Sequence, residues 1–327
     1  MPIRIGIPRS LLYYKFFPLW RDFFQGLGAE VVTSGPTTKA ILQEGLRFSV
    51  DEACLPVKVA FGHVSILKDS ADYIFVPRLV SMSPREYECP KFLGFPDMVR
   101  QCVPNLPGII DHSINMYRRQ KDLYGQFAAI GSLVCKNPVK IYSAYRKAMS
   151  NFRQYTGLVE SGLLPEQAFS PVKDKKRAPA GAGPSCSIAV IGHPYNIYDS
   201  YINIGLLKRI EESGISVVTA DNVPEETVNK YAGTLRKRLF WTLGRRMVGA
   251  ACYYLESPNI CGMVHVASFA CGPDSLTGEM IERRARRAGN IPFLNLVLDE
   301  HTGEAGLVTR VEAFLDMVGM HRAAAGT

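Results

Sequence analysis

A thiol does chemistry where it can ionise, and three cysteines of this 327-residue chain stand where that is favoured. Cys54 lies in DEACLPVK (51–58), two positions before Pro56, and proline marks the first turn of many helices. Cys271 lies in SFACGPDS, just past the apolar run GMVHVAS (262–268). Gly272 and Pro273 then lead into the helical pattern DSLTGEMIERRARRAG. Cys89 lies in EYECPK, in the loop region after DYIFVP (72–77). Helix N-termini and nearby cations lower a thiol pKa, and Lys58 and Lys91 are the cations at hand. These are positions for thiolates rather than for core thiols.

Three thiolates form a soft donor set. Structural zinc sites take four ligands, commonly with C-x2-C-like pairs, and no such pair occurs in the chain. A Cys3His zinc site completed by His193, His265 or His301 remains open. So does a [4Fe–4S] cluster on three thiolates, with one iron left open to water or substrate, and so do plain loop cysteines. Gaps of 35 and 182 residues between the three do not choose among these. Cys135 in SLVCKNP is either an extra ligand or a packed helical cysteine. Cys102, Cys252 and Cys261 have apolar neighbours and read as core, while Cys186 abuts a linker.

Two polar stretches could surround such a site. In GHPYNIYDSYIN (192–203), His193, Tyr195, Asn196, Asp199 and Tyr201 are candidates to line a cleft, with His193 or a tyrosine as proton donor. The competing reading is a turn and helix cap made by Asn196 and Asp199. In LDEHTGEAG (298–306), Asp299, Glu300 and His301 offer acid–base groups, while Thr302 could cap the last helix. The H-E-x-x-H spacing of metal hydrolases is missing.

The elements that would position these residues occur twice. RIGIPRS (4–10) gives a strand, SLLYYKFFPLWRDFFQGLG a helix and GAEVVTS (28–34) a second strand. IAVIGHPYN, YINIGLLKRIEESG and GISVVTA (214–220) repeat the series, and both strand matches hold at an offset of 186 residues. Strand–helix–strand units of this size predict parallel pairing. DYIFVP, GMVHVAS and PFLNLVLD (292–299) supply further strands. The fold class expected is α/β: two similar Rossmann-like lobes with parallel sheets, and a ligand cleft between them outside the carboxyl ends of the strands. The first lobe with a helical bridging segment (about Asp111 to Leu163) spans 1–165, a Pro-, Gly- and Lys-rich linker 166–186, and the second lobe 187–327.

Composition is that of an ordinary globular chain, 47% apolar and 21% charged. No apolar run is long enough for a membrane span. The N-terminus lacks a signal-peptide pattern, so a cytoplasmic location is expected, and a reducing compartment argues against a disulfide framework. The net charge of +8 is clustered in KDKKR (173–177), RKR (236–238) and RRARR (283–287). Without a nucleic-acid-binding signature, these clusters read as solvated faces or as surfaces for an anionic cofactor or acidic partner.

Taken together, DEACLPVK, DYIFVPR, ECPKFLGFPDM, IGHPYNIYDSYIN, FWTLG, HVASFACGPDS and LDEHTGEAGLVTRVEAF resemble the acyl-CoA dehydratase activase-related proteins. These are relatives of the cluster-bearing subunits of 2-hydroxyacyl-CoA dehydratases and benzoyl-CoA reductases, and of double-cubane cluster proteins. The resemblance runs from Ile3 to about Leu315. It implies a [4Fe–4S] cluster, or a double-cubane [8Fe–9S] cluster, held between two α/β lobes by Cys54, Cys89 and Cys271. It also implies oxygen-sensitive, low-potential one-electron chemistry on a CoA thioester or a small molecule.

Within that resemblance His193, Tyr195, Asp199 and His301 are candidate catalytic groups, and Asn196, Tyr201, Lys58 and Lys91 candidate cofactor contacts. The partners implied are an ATP-dependent actin-like activator bearing its own cluster, and a second dehydratase-like subunit or second copy of the chain. An acyl-CoA ligand is implied as well; nucleic acid and membrane are not. A phosphate-cradling G-x-x-x-x-G-K-[ST] loop is missing, so ATP hydrolysis is not expected of this chain. Whether it is catalytic alone is left open, against the alternatives of a cluster carrier, a CoA-binding regulatory module and a zinc-stabilised binding protein.

Overall fold

A computed structural model describes residues 1–118, 123–169 and 186–325. The expected linker lies mostly outside the described residues, and so does the KDKKR cluster. The chain divides into two compact units, Met1–Gly157 with Phe240–Thr242, and Leu158–Leu239 with Leu243–Thr327.

The first unit runs β1 (Arg4–Ile7), α1 (Tyr13–Gly26), β2 (Glu30–Thr33), α2 (Lys39–Phe48), α3 (Leu55–Leu67), β3 (Tyr73–Phe75), β4 (Arg78–Ser81) and α4 (Pro90–Cys102). It continues with β5 (Gly108–Ile110), β6 (Ser113–Asn115), α5 (Leu123–Val134) and α6 (Pro138–Glu160), which crosses the boundary between the units. Its sheet has the order β2-β1-β3-β5, all parallel, with β4 and β6 paired beside it. Val76-Pro77 interrupts β3 from β4, as a residue with no N–H to give must. The helical pattern expected from Asp111 is broken by β6, and the next described helix is α5.

Aromatic residues of α1 fill the space between sheet and helices. Trp20 stacks on Phe127 of α5 at 4.5 Å and meets Phe75 of β3 at the same distance. Phe23 and Phe24 are fully buried beside them, each worth roughly 2–3 kcal/mol of burial. Helices α2 and α3 approach to backbone contact. A Cβ on Gly45 would stand 1.9 Å from the Lys58 carbonyl oxygen, and one on Gly62 1.9 Å from that of Ile41. Only glycine permits this, and it fixes the helix that Cys54 begins.

The second unit carries α7 (Pro165–Phe169), β7 (Ser187–Gly192), α8 (Pro194–Ile197), α9 (Leu206–Glu212), β8 (Ser216–Thr219), α10 (Glu225–Ala232) and α11 (Thr242–Leu255). Then follow β9 (Ile260–Ser268), α12 (Gly272–Ala288), β10 (Phe293–Leu298) and α13 (Glu304–Ala325). The order β10-β9-β7-β8, again all parallel, is that of the first sheet read from the other edge. Covered on both faces, β7 and β9 read as continuous apolar runs.

Four expectations need correction, the first being Cys102, expected in the core but exposed at the end of α4. Arg4 faces Glu30 while Ser187 faces Ser216, so the first connection is three residues longer in the second unit. The single offset of 186 therefore fails at the first strand. The helix expected from Tyr201 starts at Leu206, because Ile204 and Gly205 adopt positive φ of 55° and 71°. And Cys186 pairs with Cys261 in a disulfide, although disulfides were not expected. Register explains the pairing: Ser187 of β7 faces Ile260 and Ile188 faces Gly262, so Cys261 falls at the irregularity between them, beside Cys186 just ahead of β7.

Candidate metal centre

All three candidate cysteines occupy the same local position. Cys54 is the N-cap of α3, Cys89 of α4 and Cys271 of α12, each with proline at the first or second helical position. Each residue has extended backbone, ψ 151°, 139° and 104°, and none uses its side chain to cap the helix. A thiolate there sits at the positive end of a helix dipole. Cys89 and Cys271 hold corresponding places, each opening the helix that comes before the edge strand of its four-stranded sheet, α4 before β5 and α12 before β10. The counterpart of α3 is α11, which begins after Trp241, so the repeat supplies three such cysteines and not four.

In the first unit, Lys91 donates from Nζ to the Glu52 carbonyl oxygen at 3.3 Å, tying the Cys89 turn to the Cys54 turn. Lys58 is buried one helical turn into α3. Glu88, buried next to Cys89, was not singled out from sequence. Desolvation pushes its carboxyl up to about 7, against the smaller opposing pull of Thr242 and Lys15. The segment 84–89 is held by a strand-like bridge, with Tyr87 N–H donating to Phe240 O and Thr242 N–H to Tyr87 O.

The second unit holds the densest group. His193 ends β7 as the N-cap of α8, Asp274 lies in the first turn of α12, and Cys271 begins that helix. One donor atom from each of the three lies within 4.8 Å of the others. All are buried, at 4%, 1% and 7% exposure for His193, Asp274 and Cys271. His193 Nε2 stands 3.1 Å from Asp274 Oδ1, but the pair is outside hydrogen-bond geometry. His193 Nδ1 and both Asp274 oxygens have no hydrogen-bond partner among the described residues. Burial lowers the His193 pKa; Asp274 opposes this and His265 adds to it.

His265 sits on β9, its Nδ1 3.0 Å from Asn295 Oδ1 and its ring against Gly278 of α12, where a Cβ would come within 2.5 Å. Its Nε2 also has no partner among the described residues. Just before Cys271, Ala270 is held at φ 62°, a strained conformation for a residue with a Cβ. Asp274 was missed because it stands in no recognisable spacing with His193, and His265 was weighed only as an alternative fourth ligand beside the three cysteines.

The other sequence-derived candidates have local duties. Asp199 accepts from the backbone N–H of Tyr201 and Ile202 through Oδ1, and Asn196 takes a 2.7 Å bond from Ser268 Oγ. Tyr195 lies 5.0 Å from the His193 ring, centroid to centroid. His301 is exposed on the turn after β10, its N–H donating to Asp299 Oδ1, and Thr302 bonds back to Asp299 rather than capping α13. Cys135 lies at the end of α5, its N–H donating to Gly131 O.

Residues 4–223 match the family described as the CoA enzyme activase uncharacterised domain. The chain belongs to this family. The match covers two thirds of the sequence and ties the chain to acyl-CoA dehydratase activation systems. It includes Cys54, Cys89 and the turn after His193, and it stops before Cys271 and Asp274. No curated protein matches the chain. No helix among the described residues is long and apolar enough to cross a membrane.

Proposed function

We propose that this protein is an iron–sulfur component of an ATP-activated acyl-CoA dehydratase or reductase-like system, with Cys54, Cys89 and Cys271 as cluster ligands. The observation that carries the reading is the shared position of the three thiols, each uncommitted to capping at the N-terminus of a proline-started helix. Soft thiolate sets of this kind select iron–sulfur clusters or zinc. When bound, a [4Fe–4S] cluster, or the larger double-cubane, would supply single electrons at low potential.

The chain's own residues set the conditions for that chemistry. Helix dipoles favour the ionised thiols, and Lys91 fixes the two turns of the first unit together. Burial lowers the His193 pKa and so favours the neutral ring, which could relay a proton beside Cys271 by accepting at one nitrogen and releasing from the other. The electron would come from a separate actin-like ATPase with its own cluster. Its destination would be an acyl-CoA, with a second dehydratase-like subunit or a second copy of this chain as partner. That chemistry calls for an oxygen-free setting.

Anaerobic purification with iron and sulfide analysis tests the reading, together with EPR of the reduced protein. About four irons per chain are expected, lost in Cys54→Ala, Cys89→Ala and Cys271→Ala alike. About eight irons would indicate the double-cubane and bring Cys135 back as a ligand. A wild-type chain that holds neither iron nor sulfide after reconstitution would end the proposal.

A further inference from the structure

The Asp274 carboxylate is 1% exposed, stands in the interior of a folded unit, and receives no hydrogen bond from any described residue. A buried carboxylate without donors costs several kcal/mol. The first turn of α12 favours a negative charge at Asp274 through its dipole, yet no backbone N–H reaches either oxygen. Beside it, His193 presents an unpartnered Nδ1, and its Nε2 lies 3.1 Å from Asp274 Oδ1 without bonding to it. The Cys271 sulfur completes the group. Imidazole, thiol and carboxylate from two separate connections converge there, from β7 into α8 and from β9 into α12. Packing alone gives no reason for this: it would have filled the volume with apolar groups, as it does elsewhere in the second unit.

We infer that His193, Cys271 and Asp274 bind one divalent transition-metal ion, zinc or ferrous iron, within the second unit alone. Zinc holds N, O and S donors at roughly 2.0–2.3 Å in tetrahedral sites, so its donor atoms lie about 3.3–3.8 Å apart. A spread of at most 4.8 Å closes to that by small side-chain rotations. Three protein ligands leave a fourth position for water, the arrangement of open rather than structural zinc sites. The inference goes beyond the cluster reading and needs neither Cys54 nor Cys89. Cys271 is common to both, so the single ion describes the chain when no cluster is present.

Cobalt(II) is the probe, because a cysteine-ligated Co2+ shows a thiolate charge-transfer band and tetrahedral d–d bands. The full-length Cys54→Ser/Cys89→Ser chain, purified without metal, is expected to bind about one Co2+ with both sets of bands. Adding Cys271→Ser should remove the charge-transfer band. Adding Asp274→Asn or His193→Gln should weaken binding at least tenfold, about 1.4 kcal/mol, while thermal unfolding shows each chain folded. Failure of the double variant to bind, or binding that neither Asp274→Asn nor His193→Gln alters, would overturn the inference. The two readings fail separately. Iron and sulfide missing from the wild type defeat the cluster and leave the cobalt result standing, whereas a cluster-bearing wild type with a cobalt-blind double variant defeats only the single-ion site.

Discussion

Each unit buries a histidine almost completely, and the protein treats the two in opposite ways. His63, on α3, has both ring nitrogens bonded, Nδ1 with Ser34 Oγ at 2.7 Å and Nε2 with Thr37 Oγ1 at 2.9 Å. Ser34 in turn accepts from the Arg9 N–H at 3.0 Å. His193 has an idle Nδ1 and faces a carboxylate that no group solvates. A buried polar side chain is normally satisfied by its own fold. Where it is satisfied, as at His63, its work is structural. Where several lie unsatisfied together, the missing partner is to be sought outside the chain.

The largest test of that contrast is truncation without metal. His63→Ala should cost about 2–4 kcal/mol, because it opens a cavity, strands the buried Thr37 hydroxyl and takes one of two partners from Ser34. His193→Ala removes packing but no hydrogen bond from the ring and should cost about 1–2 kcal/mol. Chemical denaturation of the two metal-free variants compares them directly, and equal losses would erase the distinction drawn here.

Next in size is the response to metal. A ligand held at 100 times its Kd stabilises the folded state by about 2.7 kcal/mol. Zinc should therefore raise the unfolding temperature of the Cys54→Ser/Cys89→Ser chain, and should raise that of its Asp274→Asn derivative by about half as much or less. A similar rise in both would place the zinc elsewhere.

Acid should act on the first unit through His63, whose pKa burial depresses to about 3, with the Arg9 charge adding to the effect. The unfolded chain takes up a proton below its ordinary value of 6.5, and the folded chain does not. Stability from this group is thus complete above pH 6.5 and falls as the pH drops, by about 2 kcal/mol at pH 5, until the folded histidine protonates. His63→Gln should flatten that part of the profile. If wild type and variant lose stability in parallel between pH 6.5 and 5, His63 is not the group that resists protonation.

Much of this architecture was legible in the residues. The parallel sheets followed from repeated strand–helix–strand runs, and the helix starts at Cys54 and Cys271 from the prolines behind them. What escaped were contacts made by topology. Asp274 looked like an ordinary acidic residue in a first helical turn, and nothing in DSLTGEM says that its carboxylate is buried against His193. His63 was not singled out, because its hydroxyl partners come from the connection after β2. The Cys186–Cys261 pair became visible only once β7 was known to lie beside β9. The shortened α9 depends on Asn203, which accepts from the Leu206 N–H and donates to the Ile197 carbonyl across a left-handed turn.

The smallest expected effect separates the two kinds of polar group inside the second unit itself. Ser268 donates to Asn196 Oδ1 at 2.7 Å, a satisfied bond a few residues from Cys271. Ser268→Ala should cost about 1 kcal/mol of stability and leave the cobalt affinity unchanged, since the hydroxyl is not among the three converging donors. Asp274→Asn should do the reverse: neither carboxyl oxygen has a hydrogen bond to lose, so the metal-free chain loses little stability while metal binding falls. Opposite responses from two buried side chains of one unit would mark a ligand site embedded in a satisfied framework. Should both variants lose stability and binding together, Asp274 is part of the framework, and the difference between His63 and His193 is one of packing alone.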